Sequence, residues 1–299
     1  MISYNPKAWF TFIFRFHKSD TFRELLPMLV AIALYSALVS WLEMEYWQLD
    51  EGHKLKNISV MHSMLSFVIS MLLVFRTNSA YERWWEGRKL WGSLVNNSRN
   101  LAMKLHALLG NRHDDRRFFG ILISNYAYTL KNHLRNHIEI NELDEDLDFK
   151  KQEIHPQQHN PNYVAKRMLE RATRLQKEGK ISAEELLFIN AELSSFTDVC
   201  GACERIKNTP IPLSYSIFIK KFIFFYIMTL PLTMVFSLGY FCIPVVVFMF
   251  YVLASLELIA EEIEDPFGKD DNDLPMDAMS KNIRKSVYEI LELNPQTSH

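Results

Sequence analysis

Residues 58–75 have the sequence ISVMHSMLSFVISMLLVF, and these 18 positions contain no Asp, Glu, Lys or Arg. A helix of this length, rising about 1.5 Å per residue, begins to cross the roughly 30 Å hydrocarbon core of a bilayer. The run ends at Arg76, after which charged residues become frequent. This stretch therefore predicts a transmembrane helix that is followed directly by a polar segment.

Two further runs without charged residues complete the apolar part of the chain. Residues 25–42 (LLPMLVAIALYSALVSWL) have the length of one span, and residues 222–256 form a run of 35 positions. As a single helix the longer run would measure about 52 Å, which is too long for one crossing. Its SLGYF segment around Gly239, together with Pro244, predicts a turn that divides it. The sequence therefore predicts four transmembrane helices.

Basic residues lie at one set of predicted span ends, and such flanks favour the cytoplasm. They are Lys18, Arg23, Arg76, Arg83, Arg88, Lys89, Lys220 and Lys221. The two linkers at the other ends, residues 43–57 and 237–243, contain only Lys54 and Lys56 between them. We therefore expect a multi-pass protein of the inner (plasma) membrane with both termini and the charged middle in the cytoplasm.

The charged middle of the chain has apolar residues at helical spacing and no strand pattern. It predicts helices over residues 81–109, 114–137, 162–178 and 182–207, and a mobile loop over residues 139–160. The fold class is thus all-α, with a large helical cytoplasmic region. We expect four parts: residues 1–80 with spans one and two, 81–210 as the cytoplasmic helical domain, 211–260 with spans three and four, and 261–299 as an acidic cytoplasmic segment.

Charge and motif content disfavour several functional classes. The chain has 33 Lys and Arg against 35 Asp and Glu, so it lacks the basic excess that nucleic-acid binding needs. Neither a GxxxxGK[ST] nor a GxGxxG motif is present, which disfavours ATPases and dinucleotide-binding enzymes. No catalytic arrangement of side chains is identifiable in sequence order, and we expect no enzyme.

Large apolar side chains recur every four residues on the second predicted span, at Phe67, Met71 and Phe75. Ser63 precedes them at the same spacing, and small polar residues form an adjacent stripe at Ser59, Ser66 and Ser70. One interpretation is core packing, in which the serines allow helices to approach closely. The other is a pore lining, in which rings of these apolar residues form a constriction that gates by dewetting. The second interpretation requires several subunits around one axis.

The candidate metal-binding patterns are incomplete. Cys200 and Cys203 form a single CxxC without a second pair, which is typical of helix packing rather than of a structural zinc site. His133 and His137 stand one helical turn apart, but no Glu follows at the spacing of a catalytic zinc motif. We therefore predict no zinc site from these residues.

The segment after the last apolar run, residues 261–273, is rich in Asp and Glu. Such a run is usually solvated surface. Alternatively, Pro266 and Gly268 bend it so that carboxylates converge on a hard cation such as Ca²⁺, although its spacing does not fit an EF-hand. Composition leaves both interpretations open.

Three segments carry a family resemblance. They are residues 75–92 (FRTNSAYERWWEGRKLWG), Cys200-Gly201 leading to IPLSY at residues 211–215, and residues 263–273 (IEDPFGKDDND). In order and in position relative to the spans, they resemble motifs of the bestrophin family of ion channels, including the RWW and INPFGEDDDD of its animal members. The resemblance extends over roughly residues 5–285.

The resemblance implies a homopentamer with one central pore, a narrow neck in the membrane and a cytoplasmic vestibule that ends in a second constriction. Aligning the RWW motif without gaps places the neck on Phe67, Met71 and Phe75, the stripe already found by spacing. The pore interpretation of that stripe is thus the one that the resemblance supports.

The second constriction, the cytoplasmic aperture, falls at or beside Glu184 and Glu185 when positions are counted back from Cys200. Animal relatives are apolar there. A ring of carboxylates favours cations, because charged rings in a narrow aperture select by sign. Leu186 or Leu187 faces the axis instead if the register shifts.

The resemblance also implies a Ca²⁺ clasp whose carboxyl ligands map onto Asp270 and Asp273 and whose Asn maps onto Asp265, with further ligands from backbone carbonyls in the N-terminal segment of a neighbouring subunit. No other cofactor is expected. Animal bestrophins conduct chloride and are opened by Ca²⁺, whereas bacterial relatives conduct cations.

We therefore expect a channel in membrane lipid for small inorganic ions, either chloride or monovalent cations such as sodium. The alternative is a membrane-anchored signalling or scaffold protein without a pore.

Overall fold

The computed structural model describes residues 21–48 and 58–293. Within these residues the chain forms α-helices and contains no β-strand, so the all-α prediction is confirmed for the described part. The helices are α1 (Thr21–Trp41), α2 (Ile58–Leu109), α3 (His113–Leu134), α4 (Asn160–Lys177), α5 (Ala183–Asn208), α6 (Leu213–Thr229), α7 (Pro231–Leu238), α8 (Cys242–Glu264) and α9 (Met276–Ile290).

Helix α2 is continuous over 52 residues, about 78 Å. The sequence predicted a span ending near Arg76 and a separate helix from residue 81, and this division is wrong. The connecting residues 76–80 (RTNSA) contain neither Pro nor Gly. Nothing in them breaks the hydrogen-bond ladder, so the helix continues from its apolar half into its charged half.

The other polar helices begin and end within three residues of the predicted bounds. Helix α3 ends early because Asn136 adopts a left-handed conformation with φ 50°. At the start of α4, the His159 side chain accepts a hydrogen bond from the Asn162 backbone. Helix α5 begins at a reciprocal capping box between Ser182 and Glu185. Local capping chemistry thus sets these boundaries.

The predicted loop over residues 139–160 contains two short 3-10 turns, Ile140–Glu142 and Lys151–Glu153. Leu143, Phe149 and Ile154 are nonetheless buried. The segment is therefore packed by its own apolar side chains, a feature that its polar composition did not predict.

The chain divides into two compact units. The first, which we call the apolar unit, comprises the described residues up to 84 together with residues 210–265 and 270–272. Its core joins α1, the first part of α2, α6 and α8 through side chains such as Leu29, Ile69, Leu73, Ile223 and Val246. Three helical stretches of the described chain are long and apolar enough to cross a membrane: Thr21–Tyr46, Ser59–Leu109 and Leu213–Glu264.

The third apolar stretch is interrupted twice. The predicted break is present, because Gly239 adopts φ 54° after α7 and a 3-10 turn, Gly239–Phe241, precedes α8. A second break was not predicted: α6 ends at Thr229, and Pro231 is the first residue of α7. Pro is favoured at that position because its missing N–H has no partner in a first helical turn.

The second unit, which we call the polar unit, comprises residues 85–209 and 266–269 and the described residues from 273 onward. Helix α3 is its centre and packs against α4, α5 and α9. Phe119, Leu122, Tyr126 and Leu130 are completely or almost completely buried there. Lys131 is buried on the same helix, where its ammonium contacts Glu142 and Asp277. The helices that carry the candidate aperture and a His/Glu cluster are therefore held by one core.

Candidate functional site

The proposed neck residues lie on the exposed face of α2. Phe67, Met71 and Phe75 are 71%, 49% and 53% exposed in the single chain. Ile69 and Leu73 are buried in the core of the apolar unit. At about 100° per residue, the two sets lie roughly half a turn apart around the helix. The core-packing interpretation of the stripe is therefore wrong for contacts within one subunit.

The serine stripe beside the neck residues needs no partner helix. The hydroxyl of Ser63 donates to the carbonyl of Ser59 at 3.1 Å, Ser66 to Ser63 at 2.7 Å, and Ser70 to Ser66 at 2.7 Å. These bonds satisfy the hydroxyl protons within the helix itself. The stripe is therefore compatible with lipid, water or another subunit.

A buried ionic group directly follows the neck positions, and the sequence analysis did not find it. The Arg76 side chain is 1% exposed, and its Nε lies 3.6 Å from the Glu257 carboxylate on α8. An arginine at the end of an apolar run looks like an interfacial residue in the sequence. Only the packing of α2 on α8 shows that it is buried and paired.

The two proposed aperture carboxylates have different environments in the first turn of α5. The Glu185 carboxylate accepts the Ser182 backbone N–H at 2.7 Å, and the Glu185 N–H donates to the Ser182 hydroxyl at 3.1 Å. Glu184 is exposed, and hydrogen bonds from its own backbone and from Ser182 lower its pKa. Glu184 is therefore an ionised surface carboxylate, whereas Glu185 caps the helix.

Leu187 shares the exposed face of α5 with Glu184, at the helical spacing of three, and is 72% exposed. The ammonium of Lys104 lies 4.0 Å from the ring centre of the adjacent Phe188, a cation–π contact. Leu186 is half-buried. Of the two leucines that a register shift would place on the axis, Leu187 is the one that projects away from its own subunit.

The proposed Ca²⁺ ligands differ in exposure. Asp265 and Asp270 are exposed, and Asp273 is buried. A Cβ at position 268 would lie 2.6 Å from the Asp273 Oδ2, so the glycine there permits the close approach of this carboxylate. Carboxylate oxygens are suitable ligands for Ca²⁺. The N-terminal segment that would add ligands lies outside the described residues.

The polar unit contains a three-residue cluster of a different kind. His133 at the end of α3, His159 before α4 and Glu204 on α5 place their ligand atoms within 4.8 Å of one another. Burial opposes ionisation of Glu204, but hydrogen bonds from His159 and His133 outweigh it and lower the pKa of Glu204. His137, the partner that the sequence suggested for His133, is not part of the cluster.

Cys200 and Cys203 are buried in the packing of α5, as predicted for this CxxC. Burial raises the pKa of Cys200 to about 12 and raises that of Cys203 as well. Both thiols are therefore protonated near neutral pH, which suits helix packing better than metal binding.

Comparison with known proteins gives the family. A profile described as bacterial/fungal bestrophin protein matches residues 1–289. The chain therefore belongs to the bacterial and fungal bestrophins, and it is a membrane protein.

Two similar proteins carry channel names. A voltage-dependent anion channel-forming protein of Nostoc sp. is 34% identical over 299 residues, covering 97% of this chain and 94% of that protein. A protein of the same description from Escherichia coli K12 is 30% identical over 301 residues, covering 99% and 95%. The chain thus matches both relatives over nearly their whole length.

A crystal structure of a bacterial bestrophin homologue from Klebsiella pneumoniae shares the fold. It superimposes with a TM-score of 0.80 at 26% sequence identity, covering 91% of this chain and all of that chain. The similarity thus extends over the apolar and polar units alike.

Proposed function

We propose that five copies of this chain surround a central pore through which small inorganic ions, chloride or monovalent cations such as sodium, pass passively. The observation that carries the proposal is the apolar face of α2. Phe67, Met71 and Phe75 lie on a candidate membrane span and face away from the core of their own unit. The channel names of the relatives support the same function.

Four crossings of the inner membrane fit the apolar unit. They are α1, the apolar half of α2, α6 with α7, and α8. The interruptions at Pro231 and Gly239 support two crossings within the third apolar stretch, because a continuous helix of that length would extend far beyond the bilayer. The basic flanks support a cytoplasmic location for both termini and for the polar unit.

In this arrangement the neck is a hydrophobic gate. Five copies of Phe67, Met71 and Phe75 line a narrow path without hydrogen-bond partners for water. An apolar constriction of this kind empties of water when narrow and conducts when it widens. The thioether of Met71 is more flexible than an aromatic ring and allows the middle of the neck to adapt.

The cytoplasmic aperture then contributes to ion selectivity. Glu184 is exposed and ionised at the start of α5, so a ring of five such carboxylates attracts cations and repels anions. Glu185 supports the ring by capping the helix that carries it.

Ca²⁺ binding at Asp265, Asp270 and Asp273 is a separate part of the proposal. The donor set consists of hard oxygens, as Ca²⁺ requires. Titration calorimetry of the detergent-purified protein with CaCl₂ tests it. Asp270→Asn should weaken Ca²⁺ binding. Heats for the wild type that equal those of dilution into buffer would show that the protein does not bind Ca²⁺.

The channel itself is tested by stoichiometry and conductance together. Native mass measurement in detergent should give a pentamer, because a pore built from one helix per subunit needs a closed ring. Bilayer recording under a NaCl gradient should show single-channel steps, and the reversal potential gives the sign of the permeant ion. A monomer or dimer without conductance would favour the membrane-anchored scaffold.

A further inference from the structure

We propose that His133, His159 and Glu204 form a zinc site in the polar unit, with three protein ligands and one open position. The proposal is independent of the channel function. It rests on the arrangement of the three side chains and on the cavity beside them.

The ligands come from three separate segments that meet at one carboxylate oxygen. The Nε2 of His133 lies 2.6 Å from the Glu204 Oε1, and the Nε2 of His159 lies 2.7 Å from the same atom. The two imidazole rings are 4.5 Å apart between centroids. Both contacts are hydrogen bonds to the same oxygen. A metal ion bound by all three ligand atoms would replace these two hydrogen bonds.

Two imidazoles and one carboxylate are a known donor set for Zn²⁺. With ligand bonds of about 2.0–2.2 Å and tetrahedral angles, neighbouring ligand atoms lie about 3.4 Å apart. The two nitrogen–oxygen contacts are less than 1 Å shorter than this, and all three ligand atoms lie within 4.8 Å of one another, so small rotations of the side chains would bring them to the spacing of zinc ligands. All three side chains are about one-third exposed, which leaves them room to rotate.

One neighbouring contact holds a ligand in place, and a second contact should change when zinc binds. The Lys207 ammonium donates to the backbone carbonyl of His133 at 3.0 Å, which fixes the end of α3. The Nδ1 of His159 accepts the Asn162 backbone N–H at 3.2 Å. In the metal-free state His159 therefore carries its proton on Nε2. Zinc at Nε2 shifts this proton to Nδ1 and releases the Asn162 amide, which gives the site a local spectroscopic signature.

An open cavity of about 650 Å³ adjoins the site, and both His133 and His159 line it. The residues that line it also include Asn132, Asn136, His137 and Gln158. Zinc sites with three protein ligands keep a fourth position for water or an exchangeable ligand. The cavity gives that position access to solvent, so Zn²⁺ can enter and leave without unfolding the unit.

The experiment is a zinc titration of the full-length protein in detergent, after removal of any affinity tag and chelator. The wild type should bind one more equivalent of Zn²⁺ than the variants His133→Ala, His159→Ala and Glu204→Gln. In each variant the affinity of this site for Zn²⁺ should fall on the order of tenfold or more. His137→Ala is the matched control, because it removes an imidazole from the same cavity and should bind as the wild type does. Wild-type binding by Glu204→Gln or by both histidine variants would overturn the proposal.

Measurements on the wild type avoid the risk that a variant fails to fold. X-ray absorption of the zinc-loaded protein should show imidazole nitrogen and carboxylate oxygen ligands at about 2.0–2.2 Å. The Asn162 amide resonance should shift on adding ZnCl₂. Absence of bound zinc, a thiolate-ligated zinc, or an unchanged Asn162 resonance at saturation would each contradict the assignment.

Discussion

The Nη2 of Arg76 lies 2.7 Å from the Glu264 carboxylate and ties α2 to the last residue of α8. The other oxygen of Glu264 accepts the backbone N–H of Ile211, just before α6, at 2.6 Å. Arg83, two turns further along α2, donates to the Glu264 carbonyl at 3.1 Å. One residue at the end of α8 therefore joins this helix to α2 and to the segment before α6, directly after the proposed neck positions.

Replacing Arg76 with Met should lower stability strongly. The substitution leaves the buried Glu257 and the partly buried Glu264 without the buried Arg76 guanidinium, and breaking a buried pair in this way costs about 3–5 kcal/mol. Thermal melting of the detergent-solubilised protein measures the effect. Lys220→Ala is the control, because Lys220 and Glu261 form a 2.7 Å pair that is about half exposed and worth about 0–1 kcal/mol. Equal melting temperatures for the two variants would contradict the prediction.

Truncating the neck should increase conduction. The triple variant Phe67→Ala, Met71→Ala and Phe75→Ala widens the path and reduces the apolar surface, and both changes favour wetting. Single-channel recordings should show a higher open probability or conductance. Leu34→Ala on α1 removes an equally exposed apolar side chain outside the stripe and should conduct like the wild type. A triple variant with wild-type currents would show that the stripe does not line the pore.

The two aperture carboxylates should be separable by mutation. Glu184→Gln removes the exposed charge and should shift the reversal potential in a NaCl gradient towards chloride. Glu185→Gln keeps a capping side chain and should shift it less. The pKa of Glu184 lies below its ordinary value of 4.5, so the cation preference should persist in mildly acidic solution and be lost as the pH falls through the lowered pKa. Equal shifts of the reversal potential in both variants would contradict the distinction between Glu184 as the exposed charge and Glu185 as the helix cap.

Acid should destabilise the polar unit partly through Asp277. Burial opposes ionisation of this carboxyl, but hydrogen bonds from Lys131 and Arg135 prevail and lower its pKa to about 2 from 3.8. The stabilisation is therefore present above about pH 3.8 and is lost as the pH falls towards 2. Asp277→Asn should flatten this part of the pH profile of the melting temperature.

Glu178→Gln provides the comparison for that profile. Glu178 pairs with Lys180 at 2.7 Å, and this partner lowers its pKa, but both side chains are exposed. Solvent screens such a pair, so the variant should keep the acid profile of the wild type. If Glu178→Gln lost the decrease in melting temperature at low pH and Asp277→Asn kept it, the acid sensitivity would belong to Glu178 and the prediction for Asp277 would be wrong.

Much of the fold was predictable because its causes are local. An uncharged run of 18 residues has few alternatives to a buried or membrane helix, and the RWW and acidic motifs indicated the family from residue order alone. Apolar residues at helical spacing identified the ends of helices such as α5 to within a few positions. The break at Pro231 was predictable in principle, since Pro at a first helical position is a known signal.

Tertiary structure alone decided which faces meet. The periodicity of Phe67, Met71 and Phe75 shows that they share a face, but only packing shows that this face points away from its own core. His133, His159 and Glu204 are separated by 26 and 45 positions in the chain, and Arg76 is 188 positions from Glu264. Spacing reports on neighbours within one helix, whereas a site built from several helices depends on how their surfaces pack. The sequence therefore determined the helices and the family, and the packing determined the exposed neck face, the buried ion pair and the His/Glu cluster.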